Sequence, residues 1–124
     1  MQQRRRELGA SSQARGVAAE RAVVAALIEE GWVILGRRVR TAEGEIDLIA
    51  DRNGLTAFIE VKARKDLATA AFALQARQRA RLCSAAAIVM AEHPEWGRDG
   101  IRFDVFLVDV AGRIRRIADA FRAD

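Results

Sequence analysis

The chain of 124 residues has very little of several residue types, and each shortage excludes a class of protein. It contains one cysteine, Cys83, so neither an intramolecular disulfide nor a four-cysteine zinc site can form. It contains one histidine, His93, which excludes a histidine-rich metal site. No apolar run approaches the roughly 20 residues of a membrane-spanning helix, and no hydrophobic stretch of a secretory signal follows the basic N-terminus. We therefore expect a soluble, cytoplasmic protein that does not bind membranes.

Lysine is also scarce. Of the 21 basic residues only Lys62 and Lys65 are lysines, so the remaining 19 are arginines. The formal net charge is +4 and the pI is about 10.5. Arginine is well suited to phosphate recognition, although a GC-rich genome would produce the same bias together with the many alanines. The charge alone predicts an acidic partner.

The order of the predicted elements indicates an α/β fold. We expect residues 1–11 to form a disordered basic arm and residues 12–124 to form a single domain. A first helix should begin after a cap at Ser12 and end before Gly31. The further predicted elements are strands at 32–40, 44–51 and 55–64, a helix at 70–91, and strands at 101–109 and 113–118. This α-β-β-β-α-β-β order predicts a mixed central sheet flanked by helices.

The second and third strands form a predicted hairpin around Asn53-Gly54, the strongest sequence signal for a type I′ turn. In the register that this turn sets, Asp47 lies opposite Glu60. Glu45 lies opposite Lys62, and because side chains alternate along a strand, all four point to one face. The other face is wholly apolar and carries Ile46, Leu48 and Ala50 against Val61, Ile59 and Ala57.

Two acids directly opposite each other in a sheet need an explanation, because like charges repel and their desolvation adds to the cost. Pairing with arginines or a different register would be structural explanations. The functional explanation is a divalent cation, since Mg²⁺ or Mn²⁺ binds one or two carboxylates together with waters and a substrate phosphate. Asp47, Glu60 and the backbone carbonyl of Val61 would bind the metal. Lys62 would act on the attacking water or the phosphate, which predicts metal-assisted phosphodiester hydrolysis.

Glu20 lies on the predicted apolar stripe of the first helix, between Val17 and Val24. An acid in this place either reaches water from the edge of the stripe or pairs with an arginine. These two explanations are structural, and the alternative is that Glu20 has a functional role.

These motifs together resemble a known family. Asp47, followed after twelve residues by Glu60-Val61-Lys62, resembles the PD-(D/E)xK motif of restriction-endonuclease-like nucleases. A wider set of motifs is similar to the small bacterial YraN-like family, which is usually placed beside archaeal Holliday-junction resolvases. These motifs are Gly16-x-x-Ala19-Glu20, Gly31, Gly44-Glu45-Ile46-Asp47-Leu48-Ile49, Glu60-Val61-Lys62-x-Arg64 and Arg102-Phe103-Asp104-Val105. The resemblance extends over residues 13–110.

The resemblance implies a restriction-endonuclease-like core and a DNA substrate that is preferably branched. It also implies that Glu20 joins the metal site, because resolvase-like members have a glutamate on the first helix. Gln78 stands where the family usually has a lysine, and Arg38 where it usually has an asparagine. Gln78 is expected either to assist at the site or to be a partly exposed helix-former.

Several charged residues near the motifs are candidates for supporting roles. Arg64 and Lys65 directly follow the catalytic strand and are expected to contact a bound strand of DNA. Arg77 and Arg81, on the second predicted helix, are either DNA contacts or part of a solvated surface. Asp104 is expected to be a structural acid that pairs with an arginine.

We therefore expect a Mg²⁺- or Mn²⁺-dependent DNA endonuclease. Its predicted catalytic residues are Asp47, Glu60, Lys62, Glu20 and Gln78, with Glu45 in an auxiliary role. The alternative is a nucleic-acid-binding module with a nuclease fold and little or no turnover. A homodimer would suit a two-fold DNA junction.

Overall fold

The computed structural model describes residues 2–65 and 76–121, with side-chain detail for residues 16–65 and 76–118. In chain order its elements are α1 (Gln2–Glu29), β1 (Val33–Thr41), β2 (Gly44–Arg52), β3 (Leu55–Ala63), α2 (Ala76–Glu92), β4 (Ile101–Val108) and β5 (Ile114–Phe121). The predicted α-β-β-β-α-β-β order and the mixed α/β fold are confirmed. The part of the second predicted helix at 70–75 lies outside the described residues.

The five strands form one sheet in the order β1-β2-β3-β4-β5. The pairs β1–β2, β2–β3 and β4–β5 are antiparallel, and β3–β4 is parallel. A parallel pair cannot be joined by a tight turn, and here the connection between β3 and β4 contains α2. The sheet is therefore mixed, with its one parallel pair next to the hairpin that carries the predicted site.

The two helices cover opposite faces of the sheet. On one face, Val23 and Leu27 of α1 pack in a cluster with Leu48, Ile59 and other strand residues. On the other face, the buried residues of α2, which include Val89, pack in a separate cluster with strand residues. Neither helix, over the residues that the structure describes, combines the length and the apolar character needed to cross a membrane.

The first helix differs from its prediction at both ends. It begins at Gln2 and not after a cap at Ser12, so the predicted start is wrong, and the segment expected as a disordered arm continues the helix. It ends at Glu29, and Gly31 has φ +92°, the left-handed conformation that favours glycine after a helix. The N–H of Trp32 donates to the carbonyl of Leu27 at 2.9 Å, which closes the last turn.

At its turn, the β2–β3 hairpin agrees with the sequence prediction. Asn53 and Gly54 have φ values of +54° and +89°, as a type I′ turn requires. The pairing runs without a break from Arg52–Leu55 at the turn to Leu48–Ile59. The predicted register is confirmed over this part of the hairpin.

Beyond the Leu48–Ile59 pair the hairpin departs from the prediction, and we call residues 44–47 and 60–63 the fork. The regular pairing ends there, so Asp47 and Glu60 are not partners in the ladder. The N–H of Val61 instead donates to Oδ2 of Asp47 at 2.8 Å, a side-chain acceptor in place of a backbone carbonyl.

The alternation of side chains in β2 also breaks at the fork. Ile46 packs in the α2-side cluster, whereas Leu48, two residues later, packs in the α1-side cluster. A regular strand would place both on the same face. The prediction that Ile46 shares an apolar face with Leu48 is therefore wrong, and so is the prediction of one common face for all the polar residues.

Candidate metal and nucleic-acid site

Asp47 lies in the middle of the fork and has an unusual electrostatic environment. The pKa of its carboxyl is raised from an ordinary 3.8 to about 7, first by burial and next by the negative charge of Glu60. The N–H of Val61 and the charge of Lys62 act in the opposite direction and do not offset these effects. Asp47 also shares a hydrogen bond with the Glu60 side chain. The Asp47 carboxyl therefore holds its proton up to about neutral pH.

Glu60 has a second partner in Lys62. The distance from Lys62 Nζ to Glu60 Oε1 is 3.0 Å, and each side chain is 21% exposed. One lysine therefore faces two acids, and it balances the charge of only one of them. The site keeps an unbalanced negative charge whenever both carboxyls are ionised.

A cavity of about 520 Å³ opens between α1 and the fork, and we call it the acidic cavity. It is lined by Gly16, Val17, Ala19, Glu20, Arg38, Glu45, Asp47, Val61 and Ala63. Glu20 contacts Arg38, with 3.3 Å between Oε2 and Nε. Glu20 is thus paired with an arginine, which was one of the alternatives from the sequence. It also lies in one cavity with Asp47.

A smaller depression of about 170 Å³ lies on the α2 side of the fork. It is lined by Gly44, Glu45, Glu60, Gln78, Arg81 and Leu82. Gln78 is exposed at its rim. The predicted residues are therefore divided: Glu20 and Asp47 line the cavity on the α1 side, Glu60 and Gln78 line the depression on the α2 side, and Glu45 lines both.

The acids of the fork form a pair and not a larger cluster. Within residues 2–65 and 76–121, no three histidine, cysteine or acidic side chains stand close enough together to hold a metal ion. The predicted convergence of Glu20 with Asp47 and Glu60 on one ion is therefore not present in this arrangement. Glu20 lies with Asp47 in the acidic cavity, whereas Glu60 lines the depression on the α2 side.

The predicted DNA-contacting residues occupy three different places. Arg64 and Lys65 line a third cavity, of about 510 Å³, which shares Ala19 and Ala63 with the acidic cavity. Arg81 lines the depression beside Glu60. Arg77 is exposed on α2. Only Arg64 and Lys65 thus lie along a continuation of the acidic cavity.

Arg38 is the residue of this site that sequence reasoning missed. In the sequence it stands out only as a departure from the family pattern, which usually has an asparagine at this position. In the structure it has φ +48° and lines the acidic cavity. No residue-type signal marks an arginine for a left-handed conformation, so the sequence offered no basis for finding it.

Asp104 fulfils the prediction of a structural acid. It is fully buried in β4, and its Oδ2 lies 3.0 Å from Arg102 Nη2 and 3.0 Å from Arg116 Nη2. Two arginines therefore balance this carboxylate from within the chain.

The fold and the site together define an α/β protein with a five-stranded mixed sheet between two helices and an acid–lysine cluster at a strand fork. The chain belongs to the family described as Uncharacterised protein family UPF0102, which it matches over residues 19–108. This is the YraN-like family that the sequence motifs resemble, so that resemblance is confirmed.

Relatives in three bacteria support the assignment. The chain is 54% identical to a UPF0102 protein of Granulibacter bethesdensis over 94% of this chain and 73% of the relative. It is 51% identical to one of Acidiphilium cryptum over 89% and 85% of the two chains. It is 44% identical to one of Azorhizobium caulinodans over 92% and 87%.

Among solved structures, the chain is similar to Pyrococcus furiosus SfsA, determined in complex with Ca²⁺. The sequence identity is 16% and the TM-score is 0.36, over 87% of this chain and 63% of the other. A likeness at this level carries no argument about function.

Proposed function

We propose that this protein is a divalent-cation-dependent nuclease that hydrolyses phosphodiester bonds in DNA. The observation that carries the proposal is the Asp47–Glu60 pair, in which burial and the negative charge of Glu60 raise the pKa of Asp47 to about 7. Strongly perturbed acids in a cavity are typical of functional sites. A chain that needed only stability would have no use for this pair, because it costs folding free energy whenever both acids are ionised.

The donor set of the fork fits Mg²⁺ or Mn²⁺. Both ions bind oxygen, and Mg²⁺ in particular is held by one or two carboxylates while waters and substrate phosphates complete its shell. Asp47 and Glu60 would supply the carboxylates and Val61 its backbone carbonyl. When bound, such a cation would polarise the phosphoryl group and lower the pKa of a bound water.

Lys62 would supply the positive charge that the chain itself brings to the reaction. Its ammonium lies 3.0 Å from Glu60, so it stands at the edge of the acid pair. From this position it would orient the attacking water or stabilise the charge that develops on the phosphate. Glu20, Glu45 and Gln78 line the two sides of the fork, and we assign them supporting roles around the reacting groups.

DNA is the substrate that the basic residues favour. Arg64 and Lys65 line the cavity that continues from the acidic cavity, where they would hold the phosphates next to the one attacked. Arg77 and Arg81 would extend this contact along α2. We further propose a restriction-endonuclease-like core related to Holliday-junction resolvases, a preference for branched DNA, and a homodimer on a two-fold junction.

A second function, nucleic-acid binding with little or no turnover, is favoured by one observation. Among the described residues the fork brings together two acids and not three. A pair is compatible with a metal that keeps several waters, but it binds such a metal less tightly than a larger cluster does. Cleavage and binding must therefore be measured separately.

The test is a cleavage assay on labelled branched, flapped and linear DNA with Mg²⁺, Mn²⁺ or EDTA. Wild type would be compared with Lys62→Ala and with the double variant Asp47→Asn, Glu60→Gln. Glu95→Gln, a change in an exposed acid away from the fork, is the matched control. We expect metal-dependent cleavage that the control retains, the double variant loses, and Lys62→Ala reduces by about 100-fold or more with DNA binding intact.

Two results would change the conclusion. Unchanged cleavage by Lys62→Ala would refute the role of the lysine. Absence of cleavage on every substrate, with binding retained, would replace the nuclease with the binding module.

A further inference from the structure

Arg38 has a backbone conformation that its residue type does not favour. It lies within β1 with φ +48°, between Arg37 and Val39, which pair with Leu48 and Ile46 of β2. It is therefore level with Asp47, where β2 loses its alternation. A left-handed conformation is unfavourable for L-residues other than glycine, asparagine and aspartate. Such outliers concentrate at functional sites, where the surrounding structure holds them.

The side chain of Arg38 remains available while it contacts Glu20. Its Nε lies 3.3 Å from Glu20 Oε2, and the Arg38 side chain is 56% exposed, whereas that of Glu20 is 17% exposed. The contact uses Nε, and bidentate binding of a phosphate uses two N–H groups of the guanidinium fork. Because more than half of the side chain faces solvent, a ligand that enters the cavity can reach it.

The charges that line the acidic cavity indicate what Arg38 could bind. The lining contains the acids Glu20, Glu45 and Asp47. Among the described residues that line it, Arg38 is the one cationic side chain. A phosphodiester that approaches three acids is repelled, so this guanidinium is the group of the lining that can attract it.

We propose that Arg38 is the phosphate-binding residue of the acidic cavity, and that Glu20 holds its guanidinium until a DNA phosphate replaces Glu20. The identity of the ligand as a phosphodiester rests on the proposed function. Exchange of partners would free the Glu20 carboxylate from Arg38 at the moment when the substrate is bound.

The test is DNA binding measured without turnover. Binding of fluorescently labelled branched DNA would be followed by anisotropy in EDTA over a series of salt concentrations. Arg38→Asn removes the charge and places a residue that tolerates φ above zero. Arg40→Asn is the matched control, because Arg40 lies on the same strand and also pairs with an acid, Glu45, but is 89% exposed and does not line the cavity.

We expect Arg38→Asn to weaken binding by about tenfold and to reduce the slope of log affinity against log salt by about one phosphate contact. Arg40→Asn should weaken binding much less. Glu20→Gln should tighten binding more in the presence of Arg38 than in the Arg38→Asn background, because it frees the guanidinium. Arg38→Gly, which also accepts a positive φ, provides a second variant if Arg38→Asn folds poorly.

The outcomes separate this inference from the proposed function. Equal effects of Arg38→Asn and Arg40→Asn on affinity and salt slope would overturn the inference, as would equal tightening by Glu20→Gln in both backgrounds. If Arg38→Asn weakens binding as expected but no metal supports cleavage, the inference stands and the nuclease fails. If wild type binds no DNA at all, both fail.

Discussion

Two acidic sites in the central sheet, one fully buried and one half-buried, show opposite ways of placing a carboxylate inside a fold. Asp104 in β4 is fully buried and lies 3.0 Å from each of two arginines, Arg102 and Arg116. Both guanidiniums also stack near the ring of Trp32, with 5.1 Å and 5.4 Å to its centroid. Asp47 in β2 instead faces a second acid, Glu60, and the pair has one lysine.

The two sites differ in whether the charge of the carboxylate is balanced within the chain. A buried charge is tolerated when partners within the chain balance it, and removal of a partner is then costly. At Asp104 the balance is internal, so no ligand is needed. At the fork the balance is incomplete, and the raised pKa of Asp47 records the cost. Of these two sites, a cation from outside the chain would therefore be stabilised more at the fork.

The largest expected effect on stability comes from removal of Asp104, the acid that is balanced by two arginines. Asp104→Ala leaves Arg102 and Arg116 without the carboxylate that they share, so the free energy of unfolding should fall by about 3–5 kcal/mol. Urea unfolding at neutral pH measures it, with Glu92→Ala on the exposed face of α2 as the control. A loss below about 1 kcal/mol would remove the contrast between the two sites.

A smaller effect of the opposite sign is expected at the fork. The pKa of Asp47 is raised in the folded state, so its contribution to stability is fully present below about pH 4 and is lost as the pH rises through about 7. Asp47→Asn removes this cost and should raise the free energy of unfolding at pH 8 by about 1–3 kcal/mol. Urea unfolding at pH 4 and pH 8 measures the difference.

The sign of that pH dependence decides the interpretation. The free energy of unfolding of Asp47→Asn should exceed that of wild type by an amount that is small at pH 4 and grows with pH. If this difference is the same at both pH values, or if the variant is less stable than wild type at pH 8, then the ionised acid pair does not destabilise the fold.

The smallest effect is expected where an acid and its partner are both exposed. Arg40 and Glu45 are 89% and 40% exposed, with 3.3 Å between Nε and Oε2. Solvent screens such a pair, so Glu45→Gln should change the free energy of unfolding by less than about 1 kcal/mol. Thermal unfolding measures this, and a larger loss would mean that Glu45 has a structural role at the fork. Its auxiliary role at the site predicts a decrease in cleavage of a few-fold.

The sequence predicted the part of the hairpin where local signals agree with each other. Asn53-Gly54 determines the turn type, and the apolar alternation next to it determines the register as far as Leu48–Ile59. These signals act over two to eight residues, so no distant contact is needed to interpret them. The element order was predicted for the same reason.

The fork could not be predicted in the same way, because its geometry depends on contacts between distant segments. Strict alternation does not continue through Asp47, because the Asp47 carboxylate accepts the N–H of Val61 and takes the place of a ladder bond. The left-handed Arg38 and its contact with Glu20, eighteen residues away in the chain, are equally non-local. The sequence therefore names the candidate residues of the site, but it does not predict their division between the two sides of the fork.

The central claim is that Asp47 and Glu60 together bind a divalent cation in place of the proton that Asp47 holds at neutral pH. Calorimetric titration of wild type with Mg²⁺ or Mn²⁺ at pH 6.5, in two buffers of different ionisation enthalpy, counts the bound ions and the protons released. We expect one ion per chain and the release of about one proton, because binding requires the deprotonated carboxyl, and we expect the Asp47→Asn, Glu60→Gln variant to show neither. Binding that this variant retains, or no binding by wild type at millimolar metal, would contradict the claim.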